Sequence, residues 1–330
     1  MTGPVPATWP SETARLFERS LVCEYASLTR DGRPVTWPLT PYVGANGTLD
    51  VSTGLTYPDK AERARRDPRV ALLYSDPTGS GLDRPPVVLV QGRAAVRDAD
   101  LQANTDRYVR ESLAKTPAGF SGTPWFLMKR LGWYFARIWV EVTPERILWW
   151  PEGDLSRTPE AWTCADDLVA PPSDPAPAGP RLPSRSVPPA DWQPFADRAA
   201  GLGEPVLTMV SDGRPLAVRT RSCTRTAGGF DLRLPAGVEA GEGPVCLTFH
   251  RHGPVMEWQE NVVLMGTAVG EGDRSRVEVD RALNDWSLAG RRRERRRSFL
   301  RQGRELGKRL RAEAGRRGQP VPVVRRPGRS

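Results

Sequence analysis

Lys60 begins the stretch of this chain best suited to chemistry. It follows a predicted strand ending in Ser52 and Thr53 and opens the basic run Lys60-Ala61-Glu62-Arg63-Ala64-Arg65-Arg66. A strand ending in hydroxyls, then a loop, then a basic helix start can hold a phosphate. The hydroxyls and free backbone N–H groups donate hydrogen bonds, and the lysine acts as a point charge. Each charge-assisted bond contributes about 1.5–3 kcal/mol, so several together would anchor a nucleotide-like ligand at about micromolar affinity or better. The same residues would also serve as the wet face of a surface helix. Other candidates are weaker. His250 and His252 share one face of a strand, but two nitrogens without a carboxylate or thiol pattern make a poor metal site. A surface strand end is their expected place, and no metal site is expected. No G-x-G-x-x-G precedes a helix, and the run from Gly303 to Lys308 is one residue short of a P-loop. No catalytic residue is identified.

The stretch holding Lys60 occurs twice, and the second copy lacks its basic part. Asp31-Gly32-Arg33-Pro34, Leu49-Asp50-Val51, Val70-Ala71-Leu72 and Val87 to Gly92 return as Asp212-Gly213-Arg214-Pro215, Phe230-Asp231-Leu232, Val245-Cys246-Leu247 and Val262 to Gly266. The offset is 181 at Asp31 and Asp50, 175 at Val70 and 174 at Gly92, so six of the seven lost residues fall between Ser52 and Val70. In the second copy, residues 234–244 hold no Lys or Arg and include Glu239 and Glu242. One half reads as built to hold an anion and the other does not.

The elements that would position these residues are mainly strands. Asp-Gly and Asn-Gly turns at Asp31-Gly32 and Asn46-Gly47 join closely spaced strands, which favours antiparallel sheet. A helix over 59–66 ends before Pro68. Val70 to Tyr74 and Val87 to Val96 read as strands buried on both faces. Helices are expected over 12–20 and 98–114, closing strands over 133–142 and 147–150, and a helix over 277–288. Residues 156–195 are rich in proline and read as a stiff, extended linker. The tail from Arg291 reads as helical through Arg311, with Phe299, Leu306 and Leu310 as a thin apolar stripe. Solvated, partly disordered chain is expected there. The divisions are therefore 11–155, a linker over 156–195, a second, degenerate domain over 196–290, and a basic tail over 291–330.

Thr29-Arg30-Asp31-Gly32-Arg33-Pro34, the strand end Val51-Ser52-Thr53, and the run from Lys60 through Asp67-Pro68-Arg69-Val70-Ala71-Leu72 resemble the pyridoxamine 5′-phosphate oxidase superfamily of FMN-binding split barrels. Some members bind the deazaflavin F420 or haem instead. The resemblance spans about residues 14–153 and implies two tandem split β-barrels, mainly β with helices. It places Lys60 as the phosphate-binding lysine and Ser52 and Thr53 at the strand end facing the phosphate. It puts Pro38, Leu39 and Thr40 along the flavin ring and Trp150 as an aromatic near the flavin. The implied cofactor is FMN, with F420 as the alternative and haem disfavoured. Trp37, Asp59 and Val87 depart from residues that the oxidases proper use on the cofactor, and residues 156–160 lack their vitamin-phosphate motif. The expectation is a flavin- or deazaflavin-dependent oxidoreductase acting on an unidentified small molecule, not vitamin B6 oxidation. The alternative is a non-catalytic binding or sensing protein. Because the family's cofactor lies between two barrels of a homodimer, an intramolecular pseudo-dimer is expected here, with a homodimer through the first copy as the other arrangement.

Composition adds limits. The net charge of +9 resides in the tail: residues 291–330 hold 16 Lys+Arg against 3 Glu, leaving residues 1–290 at about −4. Only weak, non-specific contacts with anionic surfaces are expected, through that tail. Cys23, Cys164, Cys223 and Cys246 show no paired spacing. No apolar stretch reaches a membrane span and no leader is evident, so a cytoplasmic place is expected.

Overall fold

The computed structural model describes residues 9–117, 124–164, 169–182, 191–287 and 292–327. The first half contains helix α1 (Ser11–Arg19) and strands β1 (Cys23–Leu28), β2 (Pro34–Leu39), β3 (Pro41–Val43) and β4 (Leu49–Gly54). Helix α2 (Asp59–Arg66), β5 (Arg69–Tyr74), β6 (Val87–Arg97), α3 (Leu101–Lys115), two single turns α4 (Trp125–Met128) and α5 (Gly132–Phe135), and β7 (Arg137–Trp150) follow. The short strand β8 (Glu160–Thr163) pairs with β7. The second half has α6 (Gln193–Ala200), β9 (Val206–Ser211), β10 (Arg214–Arg219), β11 (Ser222–Arg225), β12 (Gly229–Arg233), β13 (Gly243–His252), β14 (Gln259–Glu271) and β15 (Arg274–Ser287). Helix α7 (Arg292–Arg316) ends the regular structure.

All strand pairs are antiparallel, in two sheets. The first runs β2-β1-β5-β6-β7-β4-β3 and the second β10-β9-β13-β14-β15-β12-β11. The second order is the first with every strand number raised by eight, so the sequence repeat is a repeat of topology. In each sheet consecutive strands stand at opposite edges: only Thr40 separates β2 from β3. The sheet must therefore curl until its edges approach, which makes each half a split barrel. Two glycines fix the same bend in each copy. A Cβ on Gly92 would meet the Thr143 carbonyl oxygen at 2.2 Å, and one on Gly266 the Glu278 carbonyl oxygen at 2.2 Å. Both sit at register shifts between the equivalent strands.

The continuous apolar runs divide between two cores. Tyr25, Val70, Leu72, Tyr74, Val88 and Val90 fill the first barrel, while their neighbours Ala26, Ala71, Leu73 and Leu89 join a core shared with the second half. Alternation along a strand does this. Across the seam β2 lies against β13 and β14, and β10 lies against β5 and β6. Polar contacts add to it: Thr36 and Thr208 hydroxyls are 2.6 Å apart, and Gln91 Nε2 donates to the Pro215 carbonyl at 2.8 Å.

Several expectations are corrected. The helix expected over 277–288 is strand β15, with Leu288 outside the described residues. Ser275, Val277 and Val279 are buried while Arg276, Glu278 and Asp280 are exposed, a period of two. The two closing strands of the first copy are one, β7, and Trp133 lies in α5. The linker carries β8, and Asp174 accepts from the Asp98 and Ala99 backbone N–H groups at 2.7 and 2.8 Å. The tail helix runs past Arg311 to Arg316 and is docked: Leu310 and Ala314 pack in the first barrel's core, and Leu306 is buried too. These positions repeat every four residues, so they form one face. The side chain of Phe299 lies outside the described residues.

Candidate functional site

Strand β4 ends at Ser52, Thr53 and Gly54, held by β7 through the pairs Ser52–Trp139, Thr53–Ile138 and Gly54–Arg137. Thr53 Oγ1 donates to the Tyr57 carbonyl at 2.9 Å, which folds the loop back on the strand end. Pro58 then leads into α2, whose Ala61 and Ala64 are buried in the barrel core. Lys60 leaves that helix half-buried, with its ammonium 4.6 Å from the centre of the Trp37 ring. Strand β3 pairs Pro41 with Val51. Extending that register sets Thr40 opposite Ser52, so Pro38, Leu39 and Thr40 approach the β4 end. All three are half-buried.

Charge at this junction is unbalanced. Burial pushes Lys60 down to about 8, and the Arg63 and Arg137 charges push the same way against the opposing pull of Asp59. Arg137 stacks on Tyr108 and Tyr134 at 4.1 and 4.9 Å and donates to the Tyr108 hydroxyl at 2.8 Å. Its Nη1 would lie 3.3 Å from a Cβ on Gly54, so the guanidinium rests against the β4 end. Arg63 donates to Ser27 Oγ at 3.1 Å. Among the described residues none of these three cations has an ion-pair partner, and neither Arg137 Nε nor the Trp37 indole N–H, both buried, has an acceptor. Cations gathered out of water with Asp59 nearby but no ion pair in contact are costly, and the arrangement is complementary to an anion.

Sequence reasoning missed Arg137 and did not single out Arg63. The repeat contained the signal. The registers of β4 with β7 and of β12 with β15 make Gly272 the counterpart of Arg137, so the second copy has lost this cation as well as Lys60. At the equivalent strand end Arg233 Nε lies 3.3 Å from Asp273, which is also 3.9 Å from Arg221 Nη1.

Trp150 is not brought to the junction. It stands at the opposite end of β7 from Arg137, the residue paired with Gly54. It is fully buried in the shared core, and its indole N–H donates to the Ala236 carbonyl at 3.3 Å.

The histidines are not at a surface strand end. His250 and His252 are 4% and 5% exposed, at the seam between the halves. His250 Nε2 lies 2.6 Å from Glu24 Oε1, which also accepts from Ser75 Oγ at 2.7 Å and from Arg219 Nη2 at 2.8 Å. Burial alone would raise the Glu24 carboxyl, but the His250 hydrogen bond and charge, with the Arg219 charge, hold it below its usual range. His252 Nε2 is 3.4 Å from Asp76. A cleft of about 570 Å³ opens beside this cluster, lined in part by Ser75, Asp76, Arg219, Thr220, Arg221 and His250. None of the residues around Lys60 lines it. Arg219, Thr220 and Arg221 are the second-copy counterparts of Pro38, Leu39 and Thr40. The cleft therefore lies at the second copy's equivalent of the Pro38–Thr40 segment, with Arg219, Arg221 and Arg251 in its lining.

No family model and no curated protein matches this chain. Solved structures resemble it at low identity. One is a Clostridium acetobutylicum protein related to general stress protein 26 of the pyridoxinephosphate oxidase family, 13% identical over 46% of this chain and 92% of that one, with a TM-score of 0.32. Another is an F420 reductase, 18% identical over 42% of this chain and 98% of that one, with a TM-score of 0.33. A third is a nimC/nimA family protein from Clostridium acetobutylicum, 12% identical over 48% of this chain and 96% of that one, with a TM-score of 0.31. By its own strand order and register, the chain carries a split-barrel fold twice over.

Proposed function

We propose that the junction of β2, β4 and α2 binds the phosphate of FMN, or of the deazaflavin F420, and that the protein is a cytoplasmic oxidoreductase acting on a small molecule. The observation that carries this reading is the set of unpaired cations, Lys60, Arg63 and Arg137, around the hydroxyl-bearing end of β4. Lys60 and Arg137 would take phosphate oxygens, with Ser52 and Thr53 as hydroxyl donors. Pro38, Leu39 and Thr40 would lie along the ring, and the Trp37 indole N–H offers one more donor. When bound, such a cofactor supplies hydride chemistry of its own. The residues here bind and orient it and keep water from its phosphate end. The second half would act as the partner barrel, walling the groove without holding phosphate.

The test is titration of the cofactor-free protein with FMN and with riboflavin. This reading requires clearly tighter binding of FMN, and equal affinity would overturn it. A second reading, a binding module without redox activity, has the Trp37 ring under Lys60 in its favour. It would be upheld by flavin binding without reduction or turnover by any nicotinamide donor.

A further inference from the structure

Lys60 and Glu62 stand two residues apart on α2 and therefore leave it on different faces. Lys60 faces Trp37. Glu62, 4% exposed, faces the C-terminal segment and takes Arg316 at 3.0 Å, Arg317 at 3.3 Å and Arg181 at 3.0 Å. Arg317, its side chain 2% exposed, also binds Asp98 at 2.9 Å and Glu313 at 2.5 Å. Gln319 extends the seam, its Nε2 donating to the Asp98 carbonyl at 2.8 Å while its Oε1 accepts from the Leu101 N–H at 2.8 Å. The same helix touches the loop ahead of α2, where Arg309 Nε donates to the Thr56 carbonyl at 3.1 Å.

An eight-residue helix with no side-chain cap has little stability of its own. Its position is set by what it packs on. Ala61 and Ala64 fix its depth on the barrel. Arg63 and Arg66 tie it to β1 at Ser27 Oγ and the Leu28 carbonyl, and Arg65 ties it to Asp98. On the Glu62 face, Arg316 bridges Glu62 to Glu313 and Arg317 bridges it to Asp98 and Glu313, which fixes the helix from the tail side. A buried ion network is a weak source of stability, but it specifies geometry closely, and this one ends one helical turn from the candidate anion site.

We propose that the C-terminal segment is part of the anion site: Arg316 and Arg317, acting through Glu62, are positioning residues that hold α2 so that Lys60 stands over Trp37 at the end of β4. Filling the site and docking the tail are then coupled, each favouring the other by the same factor. The coupling rests on the reading of the Lys60 junction as an anion site, whereas the placement of Lys60 by the clamp does not.

The experiment uses the full chain carrying Arg316→Gln and Arg317→Gln. The first readout needs no ligand: the pH profile of Lys60 acylation, followed by mass spectrometry. In the unaltered protein the expected midpoint is about 8. Release of α2 moves it toward the ordinary lysine value, and replacement of both arginines by lysine, which restores charge without the fork, recovers it in part. The second readout is titration with FMN and riboflavin, where the variant loses about tenfold or more in FMN affinity and nothing in riboflavin affinity. A variant that keeps both the Lys60 profile and the FMN-to-riboflavin preference overturns the proposal. If the double variant does not fold, Arg317→Lys alone and hydrogen exchange in the unaltered protein decide. FMN, and not riboflavin, should slow exchange over residues 305–317, and equal exchange with and without FMN refutes the coupling. An unaltered protein without any FMN preference removes the anion-site reading, while the Lys60 profile still judges the clamp.

Discussion

Lys60→Met should separate function from stability. In the cofactor-free protein the lysine is half-buried, repelled by Arg63 and Arg137, and supported by Asp59 and the Trp37 ring. Removing the charge gives up a cation–π contact of about 0.5–1 kcal/mol. A methionine sulfur on the same ring returns about 0.3–1.5 kcal/mol, and the burial cost and the repulsion disappear. The net change in unfolding free energy should lie within about 1 kcal/mol of zero. Binding behaves differently, because one charge-assisted phosphate contact is lost. That costs about 1.5–3 kcal/mol, a fall of about 10- to 150-fold in FMN affinity, with riboflavin affinity unchanged. Urea unfolding and paired fluorescence titrations measure both. A variant that binds FMN like the unaltered protein would refute the site. A stability loss above about 2 kcal/mol would show that the lysine is structural.

Arg137→Met should weaken FMN binding by a similar factor but also cost stability, because its stacking on Tyr108 and Tyr134 is lost; unchanged stability would remove that distinction between the two cations. Near pH 9 FMN binding should take up protons, since Lys60 titrates near about 8 and the phosphate is already doubly ionised. Calorimetry in two buffers of different ionisation enthalpy reads this, and proton release would contradict it. Glu24→Leu leaves His250 and Arg219 without their carboxylate and should cost about 3–5 kcal/mol at neutral pH. Because folding lowers the Glu24 pKa from 4.5, its contribution is present above that value and lost as pH falls through the lower folded value. The gap between variant and unaltered protein should therefore narrow as pH falls below 4.5; a gap that does not narrow there would contradict the assignment.

Much of the fold was legible because the repeat supplied a second reading of each strand. Asp31-Gly32 and Asp212-Gly213 mark the same hairpin, and the residues of α2 were read correctly from the basic run and Pro68. Strand β15 was misread although Arg276, Glu278 and Asp280 alternate with Val277 and Val279, because the register shifts opposite Gly266 and Leu264 break the period of two beyond that point. The docked tail was missed because sixteen cations hide a stripe of small and branched side chains. Arg316 and Arg317 among them are neutralised by Glu62 and Asp98, more than two hundred residues away. At the site, Lys60, Ser52 and Thr53 were visible as a local run. Arg137 was not, since only strand pairing brings it to Gly54. The seam partners of His250, Glu24 and Arg219, lie on β1 and β10, so a surface histidine and a buried one look alike in the sequence.

The central claim is that the first copy alone holds the phosphate of a flavin-type cofactor. The direct measurement is saturation of the cofactor-free full chain with FMN, read as bound flavin per chain alongside a riboflavin titration. One FMN per chain, bound clearly more tightly than riboflavin, is the expected result. Two per chain would contradict the account, because the second copy has no counterpart of Lys60 or Arg137 and its Arg233 is paired with Asp273. Equal affinity for FMN and riboflavin would contradict it as well, because Lys60 and Arg137 would then be contributing nothing to the phosphate.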